Sequence, residues 1–245
     1  ALSQNAPFLF LVLAFIIDAS SLKLVTEYGG SDLPILYRIS AVWGGRAGPL
    51  LLFAALISIV TWFMTDNEEL DYDVRIMHGF TLGILFISWF LGPFATSEGI
   101  IPSELNPLLQ TDLMVIHPPV VFSYYALCIA TASVAMSGVI HKKSAKEIHD
   151  SQLHWARAAF LIGTIGIGLG GLWAYTVLDW GGYWAWDPVE TGSILPWFAL
   201  LLIIHARSTS NVSTSIKISP ALGLISGLLA IHATLVTRAN GVWAS

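Results

Sequence analysis

Charged residues are scarce in this chain of 245 residues, in which Asp, Glu, Lys and Arg make up 11% of the sequence and hydrophobic residues 55%. So little charge excludes a disordered protein and fits an ordinary soluble domain poorly. The mean hydropathy of +0.71 favours a membrane protein instead. The 11 basic residues form no dense patch, so no nucleic-acid-binding surface is expected.

Cysteine is almost absent, since Cys128 is the only one in the chain. A single thiol excludes an internal disulfide, a CxxC redox pair and a CxxCH site for covalent heme attachment. Cys128 lies in an apolar run, where we expect it to be a small core or lipid-facing residue.

Long apolar runs are what the sequence has in abundance, and a membrane-spanning helix needs about 20 mostly apolar residues. Seven candidates are present, at residues 6–24, 48–65, 76–94, 119–140, 156–178, 192–206 and 218–237. These runs are continuously apolar, as expected for helices. We therefore predict an all-α integral membrane protein, a bundle of about seven transmembrane helices that forms one domain over residues 1–245.

The basic residues divide unequally between the two sets of loops. With the first helix running from inside to outside, the inner set holds Arg75, Lys142, Lys143, Lys146, Arg157, Arg207 and Lys217, and the outer set holds Lys23, Arg38, Arg46 and Arg238. The excess of positive charge on the inner side predicts that loop 179–191 is extracytoplasmic; the family resemblance described below implies that the membrane is the cytoplasmic (inner) one. We expect the connector 141–155 to be an inner loop with solvated histidines, namely His141, His149 and His154.

Residues 180–190 read W-G-G-Y-W-A-W-D-P-V-E, and their indoles are Trp180, Trp184 and Trp186. Pro188 limits the preceding segment and suits the start of a helix, at whose N-terminus the carboxylates Asp187 and Glu190 would complement the dipole. One interpretation is an interfacial aromatic belt with a helix cap. The other is a stacking platform for a flat aromatic ligand, because several rigid π faces lie close together.

Two histidines stand out, and each has two interpretations: a ligand of a heme iron, or an ordinary histidine without a ligand, interfacial in the case of His117 and helix-capping in the case of His205. His117 precedes Pro118, which suits a first helical turn and would hold the imidazole at the outer mouth of the fourth helix. His205 lies near the inner end of the sixth helix, where a histidine also complements the dipole. On a helix that begins near Glu190, His205 lies about 22 Å from Glu190, whereas His117 is predicted on the same side of the membrane as Glu190. The two histidines are therefore at opposite depths and are predicted to serve different hemes.

Two arginines in the first outer loop, Arg38 and Arg46, are candidates for bidentate contacts with ligand carboxylates such as heme propionates. The alternative is ion pairs with outer acids such as Asp32 or Asp187. No residue is assigned a catalytic role in acid–base or nucleophilic chemistry.

Several short strings, taken in order, resemble the CcmF and NrfE branch of the cytochrome c assembly proteins, whose signature is a tryptophan-rich "WWD" loop. The strings lie at residues 33–38, 43–48, 105–110, 117–119, 173–175, 180–190, 196–197 and 205. The pairing of N-P-L-L-Q with H-P-P and D-P-V-E favours this branch over the CcmC branch.

The resemblance implies cytochrome c maturation, in which a heme lyase subunit ligates heme to the thiols of an apocytochrome c. His117 is then a ligand of the transferable heme b, and His205 a ligand of a resident transmembrane heme. With these ligands, the Trp180–Glu190 loop would complete a noncovalent heme site, and Arg38 and Arg46 stay candidates for its propionates from their charge alone. A CcmE-type heme chaperone, a CcmH-type thiol-presenting subunit and membrane lipid are the implied partners.

The strings end before the family's second outer histidine and the second ligand of the resident heme. We therefore expect an N-terminal portion, shortened at both ends relative to the family, with a C-terminal remainder or a partner chain supplying those ligands. Two alternatives remain open: a non-catalytic heme transporter or chaperone of the CcmC type, and a heme-free membrane scaffold.

Overall fold

The computed structural model describes residues 2–65, 71–103, 105–177, 182–206 and 212–238. Within these ranges the chain is helical, and apart from an isolated bridge between Leu22 and Thr96 it contains no β-structure. The α-helices are α1 Ala6–Ile16, α2 Lys23–Tyr28, α3 Ile35–Ala41, α4 Ala47–Met64, α5 Tyr72–Phe90, α6 Asp112–Ile140, α7 Ala145–Thr176, α8 Pro188–His205 and α9 Val212–Arg238. Short 3-10 helices cover Leu2–Asn5 and Pro107–Leu109.

Five helices are long and apolar enough to cross a membrane: Ala47–Met64, Asp112–Ile140, Ala145–Thr176, Pro188–His205 and the segment Thr214–Arg238. Large apolar side chains cover much of their outer surface; Leu161, Leu228 and Leu235, for example, are 61%, 65% and 62% exposed. A water-soluble monomer rarely exposes apolar side chains on this scale, whereas a bilayer solvates them. The prediction of an all-α membrane protein is therefore confirmed at the level of five spans.

The other two predicted spans also form helices, but neither meets the same criteria. Helix α1 has only 11 residues. Helix α5 has 19 residues, and its first turns contain Asp73 and Arg75, which reduce its apolar character. The predicted count of seven spans is thus not reproduced by length and composition.

Polar caps make α6 and α7 longer than their apolar runs. The Thr111 side chain accepts a hydrogen bond from the Met114 backbone N–H at 3.2 Å, so α6 begins at Asp112 and not at residue 119. Helix α7 begins at Ala145 because Ser144 and Glu147 form a reciprocal capping box. A search for apolar runs overlooks such amphipathic first turns.

The prediction of a long, solvated connector at residues 141–155 was therefore wrong. The turn between α6 and α7 covers only residues 141–144, and His149 is fully buried in the second turn of α7. Its Nδ1 lies 2.7 Å from Ser219 Oγ, and Gln152 Nε2 donates to the Ser219 carbonyl at 2.9 Å. These polar contacts join α7 to α9. His141 and His154 are exposed.

Helix α6 is the centre of the bundle and packs against α3, α4, α5, α7 and α9, while α8 lies between α7 and α9. The close contact between α6 and α7 depends on a row of glycines on α7. A Cβ atom at Gly163 would lie 2.8 Å from the Tyr124 ring, and one at Gly166 would lie 3.1 Å from Val121. Absence of side chains at these positions lets the backbones approach closely, as is common between membrane helices.

We predict that Gly163→Ala destabilises the bundle, whereas Gly79→Ala on α5 does not. Alanine is the better helix former at both positions by about 1 kcal/mol, but only at Gly163 would the new methyl group meet a ring at 2.8 Å. Overpacking of this kind costs about 1–3 kcal/mol. Thermal unfolding in detergent should show a lower midpoint for Gly163→Ala alone. Equal midpoints for the two variants would contradict the packing described for α6 and α7.

Candidate functional site

A cavity of about 360 Å³ opens where α6, α7, α8 and α9 meet. Its volume falls within the range of about 300–1,000 Å³ that is usual for small-molecule sites. The walls are mostly apolar and aromatic. The lining side chains that can donate or accept hydrogen bonds or carry charge are Trp43, His117, Tyr125, Trp173, Trp184, Asp187, Glu190 and Arg238. Four of the predicted site residues, His117, Trp184, Asp187 and Glu190, come together here.

Two carboxylates fix the loop at the start of α8. Asp187 is the N-cap, and its Oδ1 accepts from the Val189 and Glu190 backbone N–H groups at 2.5 and 2.9 Å. Glu190 Oε2 accepts from the N–H groups of the preceding residues Ala185 and Trp186, at 2.8 and 2.9 Å. The predicted helix start at Pro188 is confirmed, and the acid pair determines the path of the tryptophan loop.

The aromatic residues of this loop do not share one environment. Tyr183 Oη donates to the Gly168 carbonyl at 2.6 Å and attaches the loop to α7. Trp184 lines the cavity. Trp186 has a left-handed φ of 59°, its indole is 68% exposed, and it meets Trp184 edge to face at 5.7 Å. Trp180 lies outside the described residues.

His117 occupies the cavity wall from α6, one helical turn deeper than predicted. Because α6 begins at Asp112, His117 lies in the second turn, and Pro118 lies inside the helix and not in its first turn. Its Nδ1 lies 3.0 Å from the Gly166 carbonyl oxygen on α7, and its ring meets Trp173 edge to face at 5.7 Å. A Cβ atom at Gly170 would lie 2.8 Å from His117 Cε1, so glycine is what allows the ring to approach α7.

The hydrogen bond to Gly166 determines which nitrogen of His117 can act as a ligand. A carbonyl oxygen only accepts, so Nδ1 carries the proton and the neutral ring has its lone pair on Nε2. Metal-binding histidines usually donate their other N–H to a carbonyl or a carboxylate in the same way. Nε2 is therefore the ring nitrogen of His117 that could coordinate a metal.

The proline that follows His117 also connects α6 to the first part of the chain. Pro118 has no N–H, so the carbonyl of Met114 lacks the usual partner from within the helix. Trp43 Nε1 donates to this carbonyl at 2.7 Å. The bond fixes the first turns of α6, and with them His117, against the segment between α3 and α4.

Arg238 lines the cavity, which the sequence alone did not predict. It ends α9, its guanidinium carbon lies 6.0 Å from the centroid of the Phe122 ring, and its Nη1 donates to the Gly45 carbonyl at 3.1 Å. A basic residue at the end of an apolar run is a detectable signal. Its neighbours Gly45 and Phe122 are distant in sequence, however, so the pattern alone does not indicate a cavity.

The remaining predicted site residues lie elsewhere. Arg38 donates to the backbone carbonyls of Leu33, Ile16 and Ser31 and is not part of the cavity wall. Arg46 is exposed and also does not line the cavity. His205 is at the opposite end of α8 from Glu190, is exposed, and has Nδ1 2.9 Å from the Leu201 carbonyl oxygen. The described residues contain no cluster of three or more His, Cys, Asp or Glu side chains suited to a metal ion.

Comparison with solved structures relates this arrangement to a known protein fold. The chain superimposes on a cytochrome c heme lyase CcmF with a TM-score of 0.75, which covers 98% of this chain and 40% of that protein at 22% sequence identity. At this identity the match establishes the fold. Together with the five apolar helices, it describes an integral membrane bundle.

Comparison of sequences defines the relationship more closely. The cytochrome c-type biogenesis protein CcmF of Escherichia coli is 34% identical over 258 residues, which cover 98% of this chain and 39% of the relative. The cytochrome c-type biogenesis protein NrfE of Haemophilus influenzae is 33% identical over 210 residues, covering 80% and 32%. The chain thus spans about a third to two fifths of the length of these relatives. Because the model of the family described as "Cytochrome C assembly protein" matches residues 43–237, and because relatives match at this identity, the chain belongs to the cytochrome c assembly protein family.

Proposed function

We propose that the cavity receives heme as cargo, with His117 as an axial ligand, and that the chain acts as part of a heme lyase that ligates heme to apocytochrome c. The observation that carries this proposal is the bond from His117 Nδ1 to the Gly166 carbonyl, which leaves the Nε2 lone pair for iron at an aromatic cavity. The relatives named CcmF and NrfE are cytochrome c-type biogenesis proteins, in agreement with this reaction.

The aromatic wall accounts for how a flat ligand would be retained. Trp184 enters the cavity from the loop, and Trp173 from α7 meets the ring of His117. Aromatic contacts contribute about 0.5–1.5 kcal/mol beyond the burial of their area. A heme-free scaffold would have no need for a histidine in the ligand tautomer beside these indoles, so the geometry favours heme handling over that alternative.

We further propose that His205 serves a second, resident heme b. It lies at the other end of α8, about 22 Å along the helix from Glu190. Its Nδ1 donates to the Leu201 carbonyl, so the tautomer also places the acceptor nitrogen at Nε2. The second ligand of this heme would come from a helix of a longer protein or of a partner chain.

The excess of Lys and Arg in the opposite loops supports an orientation in which the cavity opens on the extracytoplasmic side of the inner membrane. In this orientation α1 and α5 complete a bundle of seven membrane-spanning helices around the tryptophan loop. A CcmE-type chaperone would deliver heme to the cavity, and a CcmH-type subunit would present the apocytochrome thiols. A transporter of the CcmC type is the second candidate, and formation of thioether bonds distinguishes the two.

The two-heme proposal predicts different consequences for two substitutions. His117→Ala should remove the absorption of the transferable heme and abolish cytochrome c maturation. His205→Ala should remove the resident heme b and leave at least part of the heme in the cavity, because axial ligation sets the spectrum of each iron. Absorbance spectra of the assembled complex and the cytochrome c yield in cells are the measurements.

His154→Ala is the matched control, since His154 is an exposed histidine of α7 outside the cavity wall. It should change neither spectrum nor yield. Loss of one and the same spectral species in both His117→Ala and His205→Ala would refute the assignment of two hemes.

The two tryptophans of the loop should also differ in effect. Trp184→Ala removes a wall of the cavity and should weaken heme binding by at least the ~0.5–1.5 kcal/mol of a lost aromatic contact. Trp186→Ala removes an exposed indole that reaches the cavity only through Trp184, so its effect should be smaller. Heme titrations followed by Soret absorbance measure both. A larger loss for Trp186→Ala would mean that the exposed indole is the true platform.

A further inference from the structure

Polar atoms without partners are concentrated on the wall of the cavity. Among the described residues, several fully buried side-chain atoms that have no hydrogen-bond partner belong to lining residues: Trp173 Nε1, Trp184 Nε1, Asp187 Oδ2, Glu190 Oε1 and Arg238 Nε. Buried polar groups are normally hydrogen-bonded, and leaving one unpaired costs about 1–3 kcal/mol. This grouping indicates a ligand that carries polar groups as well as an apolar face.

The two acids of the group are largely compensated by the protein itself. Asp187 and Glu190 are at the N-terminus of α8, where the dipole favours negative charge. One oxygen of each already accepts two backbone N–H groups. They therefore do not require a cationic ligand.

Arg238 lacks equivalent compensation. In the described part of the chain no carboxylate lies within 4.0 Å of it, since the two ion pairs there join Lys23 to Glu27 and Lys146 to Asp150. Its Nη1 donates to the neutral Gly45 carbonyl, and its guanidinium lies against the Phe122 ring. Its position at the end of α9 suits a cation, but that effect does not require the guanidinium to face a cavity. A charge that is largely removed from water is costly without a counter-charge, and among the described residues none pairs with this guanidinium, so the site favours an anionic group in the ligand.

We propose that Arg238 binds a carboxylate of the porphyrin cargo, with the Trp173 and Trp184 indole N–H groups as neighbouring neutral donors. This rests on the proposed function, because it specifies which group of the heme each side of the same cavity recognises. Arginine binds carboxylates through two parallel N–H groups and stacks on aromatic rings, and the uncommitted Nε and the Phe122 ring suit both contacts. Arg238 thereby takes the role for which the sequence makes Arg38 and Arg46 candidates.

The test compares hemin with hemin dimethyl ester, which keeps the iron and the ring but replaces both carboxylates by neutral esters. Each is titrated into the purified chain in detergent and followed by Soret absorbance. The wild-type chain should bind hemin roughly 10- to 100-fold more tightly, as expected for loss of a hydrogen bond to a charged group. In Arg238→Gln the preference should disappear because affinity for hemin falls, while affinity for the ester stays near its wild-type value. Arg238→Lys should keep part of the preference.

Arg46→Gln is the matched control, since it removes an exposed arginine outside the cavity and should leave the preference unchanged. Equal affinity of the wild-type chain for hemin and its ester would overturn the inference alone, and this comparison needs no variant that might not fold. Loss of the preference in Arg46→Gln but not in Arg238→Gln would overturn it as well. Failure of both porphyrins to bind would overturn the proposed function, and this inference with it.

Discussion

The close contact between α6 and α7 is the constraint on which the candidate site depends. Glycines at 163, 166 and 170 leave the surface of α7 without side chains at the positions where Tyr124, Val121 and His117 of α6 approach it. Only such an approach brings the His117 imidazole within hydrogen-bond distance of a backbone carbonyl of the neighbouring helix. The packing of two membrane helices thus determines the tautomer of the residue that we propose as the iron ligand.

The loop and α9 complete the site from the other side. The acid pair Asp187 and Glu190 binds four backbone N–H groups and turns Trp184 toward the cavity while Trp186 stays exposed. Arg238 contributes a cation that the described part of the chain does not neutralise. The imidazole, the indoles and the guanidinium of this cavity are the groups on which we base the proposal of a ligand with a metal, a flat apolar ring and an acidic edge.

Local sequence signals predicted the elements that local interactions form. The start of α8 followed from Pro188 and its acidic neighbours, and the apolar runs located the five long spans. The same signals underestimated α6 and α7, because Thr111 and the Ser144–Glu147 box cap helices whose first turns are polar. His149 was misplaced in a loop for the same reason.

Local sequence patterns did not predict contacts between residues that are distant in the chain. Arg38 and Arg46 were reasonable partners for a carboxylate by charge and side of the membrane. The structure instead has Arg38 donating to backbone carbonyls and brings Arg238 to Phe122 and to Gly45, which is 193 residues away. No periodicity or spacing encodes that contact; it results from the way α9 packs on α6.

The tautomer of His117 is the most direct test of the account. Long-range ¹H–¹⁵N correlation spectra of the chain labelled with ¹⁵N-histidine, with His117→Gln to assign the signals, report which ring nitrogen carries the proton. We expect Nδ1 to be protonated and Nε2 to be the bare nitrogen whose resonance changes when a diamagnetic zinc porphyrin is added. A proton on Nε2, or an Nε2 resonance that the porphyrin leaves unchanged, would contradict the central claim that the α6–α7 contact prepares His117 as a metal ligand.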